Sequence, residues 1–208
     1  MNSGREAFLA AANVSRETTE RLDAYAALLE KWSSRINLVS RGSLDQIWTR
    51  HFADSAQLVD FATDNYKKWV DIGSGGGFPG AVVAILAAEQ QAGQSHTLVE
   101  ADQRKAAFLK ALSRETGANF TVKSCRVEEL EPQAADIVSA RALAPLPKLL
   151  EYASEQLAPN GFALFLKGSR FADELANATK AWSFRLEVMP SVTDKEAAIL
   201  KIGDIERV

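Results

Sequence analysis

A glycine-rich segment near the middle of the chain is the first place where residue types and spacing point to chemistry. Glycines stand at positions 73, 75, 76 and 77, directly after the apolar, β-branched residues Val70 and Ile72. The apolar residues predict the end of a buried strand, and the glycines predict a tight turn, because so dense a run favours neither a strand nor a helix. Pro79 then predicts the start of a helix through 81–88. Such a turn brings bare backbone close to a nucleotide-like ligand.

Asp71, which lies just before the turn, helps to choose among nucleotide-like ligands. The spacing Asp71-x-Gly73-x-Gly75 is typical of the first motif of S-adenosylmethionine enzymes, in which a carboxylate near the cationic methionine part of the cofactor is favourable. Gly75-x-Gly77-x-x-Gly80 also matches the dinucleotide fingerprint, but Asp71 would repel the pyrophosphate of NAD. The absence of Gly-Lys-Ser/Thr excludes a P-loop. We therefore predict S-adenosylmethionine as the cofactor, with a structural glycine turn as the alternative.

A second candidate group lies upstream, in the segment 49–59. His51, Asp54 and Ser55 stand at i, i+3 and i+4, on one face of the helix that we predict there. His51 and Asp54 have two interpretations, a proton-shuttling pair or a pair that anchors the helix to the loops above the sheet, and we favour the anchor. No third ligand of suitable spacing accompanies them, so we predict no metal site. Ser55 is not on an exposed elbow, so we predict no nucleophilic triad.

The elements that must position these groups alternate from residue 68 onward. Strands are expected at 68–72, 96–100, 120–123, 136–140, 162–167, 184–189 and 197–202. Helices are expected at 79–89, 104–115, 146–157 and 171–181. This alternation predicts an α/β fold with a seven-stranded, mainly parallel, doubly wound sheet, in which a closing hairpin makes one edge strand antiparallel. We expect helices in residues 1–60, since Leu22, Tyr25 and Leu29 follow the three- and four-residue spacing of the apolar face of an amphipathic helix.

Several candidate residues follow the predicted strands, where ligands bind in an open parallel sheet. Glu100 ends the second strand, and a carboxylate there accepts the ribose hydroxyls of an adenosine, although Asp102 is an alternative. Residues 125–129 follow the third strand and would flank an adenine ring. Arg141 and Lys167 end the fourth and fifth strands. Two cations beside the cofactor turn predict recognition of an anionic substrate that carries phosphate.

Length and composition restrict the class of protein. With 208 residues, 47% of them hydrophobic, the chain fits a helical extension at 1–60 packed on a methyltransferase domain at 61–208. The single cysteine excludes an intramolecular disulfide, and the longest apolar run, at 81–88, is too short to span a membrane. We expect a cytoplasmic protein without a signal peptide. The net charge of −3 argues mildly against nucleic acid unless a local basic face is present.

Two missing motifs narrow the acceptor of a methyl group. The fourth strand does not end in the Asn/Asp-Pro-Pro-aromatic turn that activates an exocyclic amine. Cys125 follows the third strand rather than standing in a Pro-Cys loop, which argues against carbon methylation through a thiolate adduct. The remaining acceptor is an atom that already offers an available lone pair.

Taken together, these stretches resemble the GidB (RsmG) family, bacterial enzymes that methylate N7 of one guanosine in small-subunit (16S) ribosomal RNA. The resemblance runs from about residue 20 to the end of the chain. Its most specific parts are the Gly-Phe-Pro-Gly sequence at 77–80 and Arg50-His51 with Asp54-Ser55. Five further stretches also match the family pattern. They are Trp32 with residues 35–38, Arg104-Lys105 with Phe108-Leu109, and residues 126–129, 139–142 and 166–168.

The resemblance implies a class I (Rossmann-like) S-adenosylmethionine-dependent methyltransferase and a set of site residues. Those implied at the cofactor are Gly73, Phe78, Val127, Glu128 and Arg141, and we add Asp71, Ser74, Gly75, Glu100 and Arg126. Arg141 and Lys167 are expected where RNA is positioned. Residues expected to bind RNA or to support its binding are Asn37, Arg50, His51, Asp54, Ser55 and Arg170. The expected partner is 16S rRNA in the small ribosomal subunit or an assembly precursor, and the expected state is a monomer.

The expected mechanism follows from the target atom. Guanine N7 has an in-plane lone pair and no proton to lose, so no general base is required and catalysis depends on holding the reactants in line. The base must leave its stack or already be unpaired, which favours a loop target. Three other functions stay open: methylation of another RNA, a small molecule or a protein; non-catalytic binding of nucleotide or RNA; and a dehydrogenase built on Gly75-x-Gly77-x-x-Gly80.

Overall fold

The computed structural model describes residues 3–62, 65–88 and 93–208, apart from the side chain of Arg41. Its helices are α1 (Ser3–Ala12), α2 (Arg16–Ser33), α3 (Ala53–Ala56), α4 (Gly80–Ala87), α5 (Gln103–Thr116), α6 (Leu146–Gln156) and α7 (Phe171–Ala178). Its strands are β1 (Lys68–Ile72), β2 (Ser95–Val99), β3 (Phe120–Lys123), β4 (Ala135–Arg141), β5 (Leu157–Lys167), β6 (Trp182–Pro190) and β7 (Ala198–Arg207). Turns of 3₁₀ helix occupy Arg41–Gln46, Val59–Phe61 and Val127–Glu129, and a π-helical turn occupies Ile47–Phe52. The predicted helix end at residue 89 lies outside the described residues.

The seven strands form one sheet in the order β3-β2-β1-β4-β5-β7-β6. Strands β1 to β5 pair in parallel, whereas β7 runs antiparallel to both β5 and β6. The strand order reverses between β1 and β4, which is where a doubly wound sheet binds its ligand. The predicted fold class is confirmed, and the antiparallel pairings are those of β7 with β5 and with the edge strand β6. The structure adds that β7 is inserted between β5 and β6.

Helix α4 explains how the glycine turn is held in place. Every residue from Gly80 to Ile85 is buried, because one side of the helix faces the sheet and the other faces the N-terminal helices. Leu22, Tyr25 and Leu29 of α2 are fully buried in the same cluster. The amphipathic stripe of α2 therefore packs on the core, as expected for such a stripe. The division into a 1–60 extension and a 61–208 domain stays a prediction.

Several segments differ from the predicted elements. Strand β5 begins at Leu157 rather than at 162, and β7 ends at Arg207 rather than at 202. The helix expected over 49–59 is a π-helical turn at Ile47–Phe52 followed by the short helix α3, and π turns occur frequently at functional sites. The helix expected to end at 157 ends at Gln156, because Leu157 pairs with Ala135 and already belongs to β5. Within the described residues, no helix is both long and apolar enough to cross a membrane.

Candidate active site

The turn after β1 is built from glycines that adopt left-handed backbone conformations. Gly73, Gly75 and Gly77 have φ values of +68°, +55° and +94°, which residues with a Cβ rarely adopt. The backbone N–H groups of Gly73 and Ser74 donate to the Val99 carbonyl at 2.9 and 3.0 Å, which fixes the turn to the end of β2. A Cβ at Gly73 would lie 2.5 Å from the Leu143 side chain. The loop after β4 therefore lies directly against the turn.

Asp71 is completely buried beneath the glycine turn. Its Oδ1 accepts a hydrogen bond from Ser139 Oγ at 2.7 Å, and Ser139 Oγ in turn accepts one from Trp69 Nε1 at 2.8 Å. Burial raises the pKa of Asp71 to about 6, although hydrogen bonds from Ser74, Ser139 and the Gly80 backbone oppose this shift. The carboxylate thus joins β1 to β4 under the turn. No part of Asp71 faces the surface, and its expected place beside the cationic end of the cofactor stays a prediction.

Glu100 ties the glycine turn to the loop after β2. Its Oε2 accepts from the Gly75 backbone N–H at 2.8 Å, and its Oε1 accepts from the Asp102 backbone N–H at 2.8 Å. Asp102 instead caps α5, where its Oδ1 accepts from the backbone N–H groups of Arg104 and Lys105. Hydrogen bonds from Arg104 and Lys105 lower the pKa of Asp102 to about 2. Of the two carboxylates, only Glu100 contacts the turn.

An aromatic column connects the N-terminal helices to the same turn. The Tyr25 ring stacks on Phe78 at a centroid distance of 5.4 Å, and the His51 ring stacks on Phe78 at 4.9 Å. The Tyr25 hydroxyl donates to the Gly76 carbonyl at 2.6 Å. The guanidinium carbon of Arg141 lies 4.8 Å from the Phe78 ring centre, a cation–π contact. Helix α2, the π-helical turn and β4 therefore meet at Phe78.

Arg141 binds both members of the predicted His51–Asp54 pair. Its Nη1 donates to Asp54 Oδ2 at 3.1 Å, and its Nη2 donates to His51 Nδ1 at 2.9 Å. Because a guanidinium only donates, Nδ1 is the unprotonated nitrogen and the imidazole is neutral. Burial and then the Arg141 charge lower the pKa of His51 to about 4. This geometry favours the anchor over the proton shuttle. Ser55 does not join it, since Ser55 is buried and its Oγ donates to the His51 carbonyl.

A cleft of about 960 Å³ opens beside Arg141 at the carboxyl ends of β4 and β5. It is lined by Arg50, His51 and Asp54, by Arg141 and Lys167, and by the loop between β6 and β7. Lys167 is almost buried, and its Nζ contacts Glu174 Oε2 at 2.6 Å and the Ala144 carbonyl at 3.2 Å. The predicted cations thus both reach this cleft, but each is paired with a carboxylate rather than free.

Other predicted site residues lie away from this cleft. Asn37, Arg126 and Arg170 are exposed and do not line it. Val127 is buried after β3, while the Glu128 carboxylate accepts a hydrogen bond from the Tyr152 hydroxyl. The loop after β3 is therefore fixed by α6, which carries Tyr152.

Sequence reasoning missed two residues that hold the site together. Tyr25 was assigned only to the apolar stripe of α2, and Gln57, which contacts the β6–β7 loop, was not singled out. Their partners lie 51 residues or more away in the sequence, so no local spacing identifies them.

The fold and this site together define a class I, Rossmann-like S-adenosylmethionine-dependent methyltransferase. Similar folds occur in an O-methyltransferase from Bacillus cereus in complex with SAH (TM-score 0.57, 13% identity, 91% of each chain covered) and a putative O-methyltransferase from Klebsiella pneumoniae (TM-score 0.57, 15% identity, 88% of this chain and 89% of the other). More specifically, residues 18–202 match the GidB family, described as rRNA small subunit methyltransferase G, and the chain belongs to that family.

Relatives with the same description cover nearly the whole chain. Ribosomal RNA small subunit methyltransferase G of Cereibacter sphaeroides is 48% identical over 204 residues, which span 98% of this chain and 99% of the relative. The protein of the same description from Parvibaculum lavamentivorans is 50% identical over 199 residues, which span 95% of this chain and 88% of the relative. The resemblance to the GidB family is therefore confirmed.

The residues around the turn fit S-adenosylmethionine. Three left-handed glycines expose backbone rather than side chains, and Glu100 places a carboxylate beside Gly75 at the end of β2. A carboxylate at this position accepts the ribose hydroxyls of an adenosine, and a glycine turn lets the rest of the cofactor approach the backbone.

Proposed function

We propose that this protein transfers the methyl group of S-adenosylmethionine to N7 of a specific guanosine in 16S rRNA. The observation that carries the proposal is the position of Arg141, which contacts Phe78 of the cofactor turn and also lines the cleft beside it. A base in the cleft would therefore lie next to the cofactor. The family description, which names small-subunit rRNA, supports the choice of RNA.

Cofactor binding is assigned to the residues that surround the turn. Glu100, rather than Asp102, holds the ribose, because Glu100 contacts the glycine turn at Gly75 whereas Asp102 caps α5. The backbone of Gly73, Ser74 and Gly75 cradles the cofactor. The remaining assigned contacts are Phe78, Arg126, Val127, Glu128 and Arg141. Asp71 supports the turn from below.

The bound cofactor supplies an electrophilic methyl group on a sulfonium. The chain's own contribution is positioning, which supplies about 7–11 kcal/mol in favourable cases. N7 carries no proton, so the neutral, Arg141-bound His51 is not needed as a base. Methylated guanine is cationic, and the pairing of Arg141 with Asp54 limits charge repulsion beside it.

The substrate in this proposal is 16S rRNA in the small subunit or in an assembly precursor, bound by a monomer in the cytoplasm. Lys167 orders the β5 end of the cleft through Glu174. The exposed residues Asn37, Arg50, Arg126 and Arg170 supply a limited RNA-binding face, which suits a chain with a net charge of −3.

The test is mass spectrometry of 16S rRNA from cells with and without this gene. We expect one 7-methylguanosine to be lost without the gene and restored by the wild-type gene, but not by Arg141→Ala. A variant of an exposed residue outside the site, Lys180→Ala, should restore it fully. An unchanged 16S rRNA would contradict the proposal. Transfer of labelled methyl in a lysate to another RNA, a protein or a metabolite would then identify the alternative substrate.

A further inference from the structure

The loop between β6 and β7 forms a wall of the cleft that the sequence did not assign to any function. Ser191, Thr193, Asp194, Lys195 and Ala197 line the cleft from this loop. The π-helical turn contributes another part of the lining through Thr49 and Arg50, and the preceding 3₁₀ turn contributes Gln46. A substrate in the cleft would therefore contact the hairpin loop as well as the ends of β4 and β5.

Gln57, the residue that directly follows α3, holds this loop in place. Its Nε2 donates to Ser191 Oγ at 3.2 Å, and its Oε1 accepts from the Val192 backbone N–H at 3.0 Å. The same Nε2 also donates to the carbonyl and to Oδ1 of Asp54, at 3.0 Å each. Gln57 itself is buried, whereas Ser191 is half-buried and Val192 is exposed. The loop is thus held at a defined position instead of extending freely into solvent.

Asp54 links the loop to the centre of the site. Its Oδ1 accepts from Thr193 Oγ1 at 2.9 Å, while its Oδ2 accepts from Arg141 at 3.1 Å. One carboxylate therefore contacts the hairpin loop and the end of β4 together. The position of the loop is coupled to the residue that contacts the cofactor turn.

Some of the cations that line the cleft are held in ion pairs, and others are available to a ligand. Arg141 and Lys167 form ion pairs with Asp54 and Glu174. Arg50 and Lys195 are exposed, and neither forms an ion pair with any described residue.

The third lining carboxylate, Asp194, accepts a hydrogen bond from the Glu196 backbone N–H and so orders the loop itself. The cations that remain available to a ligand in the cleft are Arg50 and Lys195.

We propose that Lys195 binds a backbone phosphate of the substrate RNA and that the loop 191–197, positioned by Gln57, is part of the RNA-binding wall. This inference rests on the proposed RNA substrate. An exposed ammonium acts as a point charge on phosphate, so its effect is electrostatic and independent of sequence. Lys195 is a binding residue, and Gln57 is a positioning residue.

The experiment measures RNA binding separately from methyl transfer. Fluorescently labelled full-length protein is titrated with small ribosomal subunits from cells that lack the gene, at 50 and 200 mM salt. Each phosphate contact contributes about 0.7 to 0.9 to the slope of log K against log salt. For Lys195→Ala, the loss of affinity across this fourfold salt range should be about 2.6- to 3.5-fold smaller than for the wild type.

Three comparisons make the result specific. Lys195→Arg keeps the charge and should retain the wild-type salt dependence. Lys180→Ala, which removes an exposed lysine beyond the end of α7, should do the same. Gln57→Ala should weaken RNA binding in the wild-type background and have a smaller effect in the Lys195→Ala background, because both changes act through the loop.

The outcomes separate the two proposals. If Lys195→Ala binds with wild-type affinity and salt dependence, the inference is wrong. If the wild type binds subunits with the expected Lys195 effect but transfers no methyl group, the proposed reaction alone is wrong. If the wild type does not bind small subunits at any salt concentration, both are overturned.

Discussion

The hydroxyl of Tyr25 provides a direct test of how α2 supports the cofactor turn. Tyr25→Phe removes the 2.6 Å hydrogen bond to the Gly76 carbonyl and leaves the ring available to stack on Phe78. Because Tyr25 is fully buried, the carbonyl loses a partner that water does not replace. An unpaired buried group costs about 1–3 kcal/mol of the free energy of unfolding. In a chain of 208 residues, this lowers Tm by about 2–4 °C per kcal/mol.

The same substitution should also weaken cofactor binding. The turn must be ordered when the cofactor binds, and it would have lost one of the contacts that order it. If up to about 1.4 kcal/mol of this loss appears in binding, the Kd for S-adenosylmethionine rises by up to about tenfold. Isothermal titration calorimetry gives the Kd, and urea unfolding gives the free energy of unfolding.

Tyr66→Phe is the matched control. Tyr66 is also a buried tyrosine, and its hydroxyl lies 3.0 Å from His96 Nε2 at the start of β1 and β2, the opposite end of these strands from the turn. We expect a comparable loss of stability without a change in the Kd. An unchanged Kd in Tyr25→Phe, or an equal rise in both variants, would refute the role assigned to the Tyr25 hydroxyl.

Two further predictions concern charged and titratable groups. Glu174→Gln removes the negative charge that pairs with the Lys167 ammonium and leaves a neutral amide oxygen in its place, so it should lower the free energy of unfolding by about 2–4 kcal/mol. The double variant with Lys167→Met should recover most of this loss in urea titrations. No recovery would contradict the pairing. Burial lowers the pKa values of His51 and His96 to about 4, so their contribution to stability is present above pH 6.5 and is lost as pH falls through 4. The Asp71 carboxyl, whose pKa is raised to about 6, has the opposite effect between pH 6 and 4. Between pH 6 and 4 the two histidines make the unfolded state bind two more protons than the folded state, and Asp71 makes it bind one fewer. The unfolded state therefore binds one more proton overall, and the free energy of unfolding should fall by about 1.4 kcal/mol for each unit by which the pH is lowered. His96→Gln should make this range flat, and a flat wild-type profile would contradict the assignment.

The sequence by itself determined the order of the strands along the chain and the position of the glycine turn. Val70, Ile72 and the glycines that follow are local signals, because the glycines can take positive φ where other residues are strained. The acidic residue Glu100 at the end of β2 was found for the same reason, since its place depends on the end of one strand. Parallel pairing of β1 to β5 then follows from the alternation of strands and helices.

The ionisation and pairing of the site residues were decided only by the tertiary structure. Arg141 and Lys167 read as free cations in the sequence, but folding brings Asp54, 87 residues from Arg141, and Glu174 into contact with them. Asp71 is buried under the turn, where it accepts a hydrogen bond from Ser139, a partner that the sequence does not reveal. A sequence pattern shows which face of an element is apolar. It does not show which distant group will satisfy a polar atom that the fold has removed from water.

The contacts of the β6–β7 loop are another feature that the sequence does not reveal. Its residues looked like an ordinary hairpin connection, and Gln57 like an ordinary polar helix residue. Insertion of β7 between β5 and β6 brings the loop to the cleft, where Gln57 binds Ser191 across 134 residues. Local propensities specify the elements, whereas the shape and the unpaired charges of the cleft beside Arg141 arise only when those elements pack, because its lining comes from four separate parts of the chain.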